Sequence, residues 1–301
     1  MAELFSTYES TGMVQDVRDI IDIISPLDTP VYSMLRKGRA SAVTHEWLTI
    51  TLSTSNANSA IEGAAFATAS AQTIETRMMN KTQIFTKPWQ VSATIEAVKK
   101  FGRTSEYAFR RMLALKAWKI DVEFALIDNT ASAAGATGTA KTFNGLPGAA
   151  GVTTTANSSS TSSSPLDEVV LNKHLQAQWD TGASPDTLVC PGFIKRTISG
   201  FVGGGAGRPI VNENGDRMAS NVVDVYESDF GRLNIFPTRY GVASRLAVFQ
   251  KDLCSMAFLR DPVTIDRPYD SDGRQGIVVG ELTFEYLNTN AVGRIYRVQS
   301  S

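Results

Sequence analysis

TSEYAFRRMLALKAWKIDVEFALIDN, residues 104–129, is the stretch that decides the fold, because it predicts one long helix. Thr104 or Ser105 can cap its first turn, and Glu106 complements the helix dipole there. Apolar residues recur at the three- and four-residue steps of one helix face: Phe109, Leu113, Ala117, Ile120, Phe124 and Ile127. The predicted opposite face carries charged residues: Arg110, Arg111, Lys119, Asp121 and Glu123. About 24 helical residues would span about 36 Å, enough to support a whole domain.

Upstream of this helix, residues 41–90 predict two long strands around a tip of small residues. Val43, His45, Trp47 and Thr49 alternate with their neighbours at the period of two that is typical of a strand. The tip, Ser53–Ser70, offers only Ile61 and Phe66 as large candidates for burial, and a second extended run covers Gln72 to about Val91. A two-stranded ribbon is marginal in isolation, so this one needs a surface to lie on.

Residues 1–40 are predicted to form an arm. Met13–Ile24 is mildly amphipathic, and Pro26 and Pro30 break the helical pattern after it. A short helix over Val31–Lys37, closed by Gly38, is expected next.

Downstream, a low-complexity stretch over residues 130–164 leads into a compact α/β region. The pattern predicts a helix over Pro165–Thr181, a strand over Thr187–Cys190 and a helix from Pro191 to Ser199. Gly203–Asp216 is interpreted as a mobile glycine-rich loop. Strands are then expected at Asn221–Ser228, Gly231–Pro237, Leu246–Gln250, Ser255–Arg260, Gly280–Asn288 and Arg294–Val298.

Composition excludes several protein classes. The 301 residues include 29 basic and 30 acidic side chains, and a net charge of −1 argues against a dedicated nucleic-acid binder. Two cysteines exclude a disulfide scaffold, and two histidines leave few options for metal or triad chemistry. The N-terminal residues lack the features of a signal peptide, and no window approaches the 18 apolar residues of a membrane span. We therefore expect synthesis in a reducing cytoplasm, no membrane contact and no cofactor.

The motifs that suggest chemistry are weak. VGGGAGRPI at 202–210 lacks the Lys-Ser or Lys-Thr of a phosphate loop. NENGD at 212–216 and DSDG at 270–273 are more simply turns than calcium loops. His174 or His45 could in principle activate Cys190, Cys254 or a serine, which leaves a hydrolase as an alternative from another class.

The order of segments carries a resemblance. The stretches are TPVYSMLRKGRA (29–40), HEW (45–47), Glu62-Gly63, RMMNKTQIFTKPWQVSATIEAV (77–98), GRTSEYAF (102–109), VDVYESDFGRLNIFP (223–237), LRDP (259–262) and GELTFEYLN (280–288). In this order they resemble the major capsid (major head) proteins of tailed bacteriophages, with the Hong Kong 97-like shell fold. An encapsulin-like nanocompartment shell protein is the alternative that is closest in fold.

The resemblance implies an α+β fold with an N-terminal arm, an extended β-ribbon loop, a spine-helix peripheral domain and an α/β axial domain. The implied limits are 1–40 for the arm, 41–90 for the extended loop, 91–164 for the peripheral domain, 165–275 for the axial domain and 276–301 for the return strand of the peripheral domain.

The same resemblance implies a structural, non-enzymatic role. Hexamers and pentamers of the chain would form an icosahedral head in the virion, assembled in the host cytoplasm and enclosing double-stranded DNA without sequence specificity. Portal, scaffolding and decoration proteins are further expected partners. Nine residues are candidates for contacts between subunits: Trp47, Glu62, Phe66, Arg77, Lys81, Trp89, Arg103, Arg208 and Arg217.

Overall fold

The computed structural model describes residues 28–52, 55, 57–59, 61–63, 65, 74–99, 104–149, 153–157, 163–201, 209–211, 217–219, 223–241, 243–268 and 272–299. The helices are α1 (Pro30–Met34), α2 (Ala93–Ala97), α3 (Glu106–Asp128), α4 (Glu168–Asp180) and α5 (Gly192–Phe201). The strands are β1 (Arg36–Arg39), β2 (Thr44–Thr49), β3 (Thr76–Lys81), β4 (Gln83–Ser92), β5 (Thr153–Ala156), β6 (Thr187–Pro191), β7 (Pro209–Val211), β8 (Arg217–Ala219), β9 (Val225–Ser228), β10 (Gly231–Thr238), β11 (Leu246–Phe249), β12 (Cys254–Arg267), β13 (Gly273–Tyr286) and β14 (Val292–Tyr296).

The long helix α3 lies on one face of a four-stranded sheet with the order β1-β12-β13-β4. Ser105 caps the helix, since its side chain accepts a hydrogen bond from the Ala108 N–H at 3.2 Å. The Trp118 ring packs edge-on against Phe85 of β4, and its Nε1–H donates to the Phe85 carbonyl at 3.2 Å. The predicted helix is confirmed. It covers Glu106–Asp128, which is slightly shorter than the predicted range 104–129.

The predicted apolar face of α3 is wrong. The buried side chains belong to a neighbouring stripe: Tyr107, Ala114, Trp118, Val122, Ala125 and Leu126. Phe124, which was expected in the core, is 47% exposed. Three- and four-residue spacing fits both stripes, and the large ring of Trp118 decides between them because it gains most from burial.

Glu123, which was expected in solvent, is completely buried. Its carboxylate accepts hydrogen bonds from the backbone N–H groups of Val31 at 3.0 Å and Tyr32 at 2.7 Å. These are orphan donors of the first turn of α1, where Pro30 has no N–H to offer. Burial raises the pKa of the Glu123 carboxyl, and the two backbone donors oppose that rise. The carboxylate thus holds α1 against the middle of α3.

The short helix predicted over Val31–Lys37 ends earlier, at Met34, and Gly38 is not its terminator. Lys37 and Gly38 instead belong to β1, which runs parallel to the Ser255–Phe258 part of β12. The arm segment Met13–Ile24 lies outside the described residues.

Two glycines of β13 allow the core tryptophans to approach the strand closely. A Cβ at Gly276 would collide with the Trp89 ring, and one at Gly280 would lie 2.6 Å from Cζ2 of Trp118. The absence of a side chain at these positions therefore sets how closely the rings of β4 and α3 pack on the sheet.

The second half of the chain forms a mixed six-stranded sheet with the order β5-β14-β11-β6-β10-β9. Its apolar core includes Leu171 and Leu175 of α4, Leu188 of β6, and Ile194 and Ile198 of α5. The predicted helix–strand–helix succession is confirmed, although α4 begins at Glu168 rather than at Pro165. Asp167 caps α4, because its Oδ1 accepts the Val169 N–H at 3.3 Å.

Several predicted boundaries change. The strands expected at 255–260 and 280–288 are the long β12 and β13, because they pair with each other along most of their length. Of the predicted loop Gly203–Asp216, the structure describes Pro209–Val211, which form β7 and pair antiparallel with β8 just after the loop. Among the helices that the structure describes, none combines the length and the apolar character needed to cross a bilayer.

Candidate functional site

The second run predicted for the ribbon divides into two parts at Thr82. Before it, β3 pairs with β2 in a sheet that has two strands in the described part of the chain. After it, β4 joins the four-stranded sheet beside β13. Period-two patterning is the same in both parts, so the sequence did not reveal where the ribbon leaves the body.

One face of the ribbon is fixed to the body. Trp47 of β2 packs edge-on against Tyr286, with ring centroids 5.1 Å apart. Asn80 of β3 is buried, and its Nδ2 donates to the carbonyl oxygens of Asn144 at 3.0 Å and Phe284 at 2.7 Å. Aromatic packing and satisfied buried amide donors both favour one fixed position for the ribbon base.

A buried carboxylate holds the junction. Glu281 of β13 accepts hydrogen bonds from Thr82 Oγ1 at 2.7 Å, Lys141 Nζ at 3.3 Å and Arg260 Nε at 3.0 Å. Burial alone would raise the pKa of Glu281, but these hydrogen bonds and the Lys141 charge hold it below its usual value. The ribbon, the loop that carries Lys141 and the strand β12 thus meet at one charged group.

The other face of the ribbon is apolar and uncovered. Leu48 is 66% exposed, Met79 55% and Ile50, just beyond β2, 61%. The ion pair between Glu46 and Arg77, at 3.4 Å, lies on the same face. Large aliphatic side chains that lie together in the open usually mark a contact surface. We call Leu48, Ile50 and Met79 the ribbon face.

The four-stranded sheet also leaves aliphatic groups open on the side away from α3. Val263 and Ile265 of β12 are 55% and 50% exposed, and Ile84 of β4 is 45% exposed. The residues that alternate with them, such as Thr264, bond to α3 instead. Within the described chain, β1 pairs with β12 only at Ser255–Phe258, so the later residues of β12 form an edge. We call Ile84, Val263 and Ile265 the outer sheet face.

The residues with possible chemistry are buried apart from these surfaces. His174 is completely buried, and burial lowers its pKa to about 4. Its Nδ1 lies 2.8 Å from Thr155 Oγ1. Burial raises the pKa of Cys190 to about 12, and it also raises the pKa of Cys254. Among the described residues, no three His, Cys, Asp or Glu side chains form a cluster suited to a metal ion.

The nine predicted contact residues differ from one another in where the structure places them. Trp47 and Trp89 are largely buried in the core of the subunit. Arg77, Lys81 and Glu62 belong to the ribbon or its tip; Arg77 and Glu62 are exposed, and Lys81 Nζ donates to Thr44 Oγ1 at 2.6 Å. Phe66, Arg103 and Arg208 lie outside the described residues, and of Arg217 only the backbone, in β8, is described. Contacts of these residues between subunits stay a prediction.

The ribbon face was missed by sequence reasoning. A signal for it existed, because Leu48 and Ile50 occupy the alternate positions to the buried Trp47. An apolar residue at both faces of a strand indicates a strand that is covered on both sides.

Comparison with known proteins gives one family match. The model of the SU10 major capsid protein family matches residues 4–299. No curated protein matches the sequence.

Solved structures with the same fold include three from phages. The cyanophage A-1(L) capsid has a TM-score of 0.68 at 10% identity, covering 98% of this chain and 99% of that one. The Mycobacterium phage Adephagia protein has a TM-score of 0.65 at 12% identity, covering 98% of each chain. The phage G structure of major capsid and decoration proteins has a TM-score of 0.60 at 11% identity, covering 99% of this chain and 100% of that one.

Proposed function

Because the chain belongs to the SU10 major capsid protein family, and is therefore a structural phage capsid protein with the Hong Kong 97-like fold, we propose that its uncovered surfaces join many copies of it into a closed head. The observation that carries this proposal is the ribbon face, whose three aliphatic side chains are each more than half exposed. A two-stranded ribbon with an open apolar face is an aggregation hazard unless another molecule covers it. In a shell, a neighbouring copy covers it.

The particular assembly that we propose is an icosahedral head of hexamers and pentamers, formed in the host cytoplasm around double-stranded DNA. The ribbon and the outer sheet face are the surfaces that neighbouring copies bury. Portal, scaffolding and decoration proteins complete the set of partners. The division of the chain into arm, extended loop, peripheral domain and axial domain belongs to the same proposal. Family membership favours this head over an encapsulin-like nanocompartment.

We further propose that the chain catalyses no reaction. The support is chemical: the two thiols are buried and their pKa values are raised, so almost no thiolate exists near neutral pH. The imidazole of His174 is buried, and its Nδ1 lies 2.8 Å from Thr155 Oγ1. A turnover that disappears with His174→Ala would favour the hydrolase alternative instead.

Shortening the ribbon tests the proposal. Residues 50–75 are replaced by a Gly-Asn hairpin turn, which keeps β2, β3 and the contacts of Trp47 and Asn80 with the body. The subunit should fold with nearly unchanged circular dichroism and thermal melting. Closed shells should disappear from electron micrographs, since a stable interface needs on the order of 1,000 Å² of buried surface.

Two results would contradict this design. Particles like those of the wild type, formed by the shortened chain, would sink the proposed role of the ribbon. An unfolded shortened subunit would mean that the ribbon belongs to the subunit core rather than to an interface.

A further inference from the structure

A group of basic side chains lies on the exposed side of α3, without an ion pair to a described carboxylate. Arg111 and Lys119 are exposed and Lys116 is half-buried, and all three line a shallow groove of about 390 Å³ along this helix. At 3.6 residues per turn they fall within about 140° of the helix circumference. Lys37 of β1 contacts the same Tyr32 ring as Lys119. We call these four residues the cationic face.

Among the residues that the structure describes, the carboxylates near this face are paired with other cations. On the neighbouring side of α3, Arg110 is paired with Glu106 at 2.7 Å and Lys87 with Asp121 at 2.8 Å. No such pair to a described carboxylate includes any member of the cationic face. The positive charge is thus segregated on one side of a helix, in a chain whose total charge is only −1.

Neutral groups hold these cations in place. The Nζ atoms of Lys37 and Lys119 lie 5.1 and 5.9 Å from the centroid of the same Tyr32 ring. Arg111 donates from Nη2 to Thr264 Oγ1 at 2.7 Å. Cation–π contacts and a hydroxyl acceptor orient the charged groups without neutralising them. The arrangement favours a partner that brings negative charge.

The spacing of the face fits a phosphate backbone. The helical rise separates Arg111 from Lys119 by about 12 Å along the axis. One strand of duplex DNA carries a phosphate about every 3.4 Å, so this length faces three or four phosphates. Contacts to phosphates carry no sequence information, which agrees with binding that is independent of sequence.

We propose that the cationic face binds the phosphate backbone of double-stranded DNA, so that this side of α3 lines the interior of the shell. The proposal rests on the proposed function, because only a closed shell has an interior that holds DNA. The affinity for phosphate itself is argued from the four residues of the cationic face. It also refines the conclusion drawn from net charge, since a neutral chain can carry a local basic surface.

The test compares two charge-matched variants of the full chain. One carries Arg111→Gln, Lys116→Gln and Lys119→Gln. The control carries Lys173→Gln, Arg232→Gln and Lys251→Gln, three exposed basic residues of the other half. Binding of a labelled 30-base-pair duplex of random sequence is followed by fluorescence anisotropy between about 50 and 200 mM salt. Shell formation is followed in parallel by electron microscopy.

We expect the first variant to bind the duplex at least tenfold more weakly, with a log–log salt slope that is shallower by roughly 2 to 3. The control and a charge-retaining variant, Arg111→Lys with Lys116→Arg and Lys119→Arg, should bind like the wild type. Equal affinity of the two triple Gln variants would overturn the proposal. So would loss of shells in the first variant with unchanged DNA affinity, because the face would then contact a neighbouring subunit. If the wild type forms no shells, the proposed function fails, while the anisotropy comparison still decides this proposal.

Discussion

The ribbon face allows the energy of one contact between subunits to be worked out. Leu48, Ile50 and Met79 are 66%, 61% and 55% exposed in the subunit. Full burial of such a side chain stabilises by about 1.5–3 kcal/mol, so covering the open parts of all three gives roughly 3–5 kcal/mol per contact. Replacing all three with Gln should therefore weaken each contact by about a hundredfold or more, since 1.4 kcal/mol is a factor of ten.

The assay is the protein concentration at which shells first form. Light scattering and sedimentation velocity follow a dilution series, and electron microscopy identifies the particles. The matched control, Leu48→Val with Ile50→Val and Met79→Leu, keeps the face apolar and should assemble within a few-fold of the wild-type concentration. Both variants should keep the wild-type melting temperature to within a few degrees, because these side chains are already open to water. Assembly of the Gln variant at the wild-type concentration would refute the reasoning.

Three further predictions concern the subunit itself. Glu123→Gln removes the carboxylate that accepts two backbone donors of α1, and should lower the free energy of unfolding by about 1–3 kcal/mol in urea titrations; an unchanged midpoint would contradict the capping role. Burial lowers the pKa of His174 from about 6.5 to about 4. Between these two pH values the imidazole is protonated in the unfolded chain and neutral in the folded chain. The free energy of unfolding should fall by about 1.4 kcal/mol per pH unit as the pH drops through this range. In thermal melts, His174→Gln should make the stability less dependent on pH. Gly276→Ala places a methyl group against the Trp89 ring and should cost about 1–3 kcal/mol, whereas Gly192→Ala, with open space around its Cβ, should not destabilise.

Sequence patterns predicted where helices and strands lie better than they predicted which side of each is buried. Alternation located the ribbon strand but did not show that Trp47 is buried, and residue type suggested Ser105 as one of two candidate caps. The buried stripe of α3 was misassigned because periodic spacing alone does not rank Trp118 above Phe124. Local patterns contain no information on which residues a distant segment will cover.

The polar contacts that fix the fold could not be predicted from local sequence. Glu123 is buried only because α1, about ninety residues earlier, needs acceptors for its first turn. Glu281 is held by groups from three separate segments, which no spacing rule connects. The ribbon face could have been found in part, since Leu48 and Ile50 alternate with Trp47, although Glu46 lies on the same side of the strand. The cationic face could not have been found, because the fold decides which neighbouring charges form ion pairs and which basic residues are left without one.

The burial of both cysteines has a consequence for durability. A virion passes from a reducing cell into an oxidising medium, where exposed thiolates are oxidised or form chance disulfides. Cys190 and Cys254 are 1% and 0% exposed, and their pKa values are raised, so both thiols are protonated. Neither oxidants nor the cysteines of a neighbouring copy can contact them. The two thiols of each copy therefore keep the same chemical state on both sides of the cell envelope, and contacts between copies of this subunit do not depend on disulfide bonds.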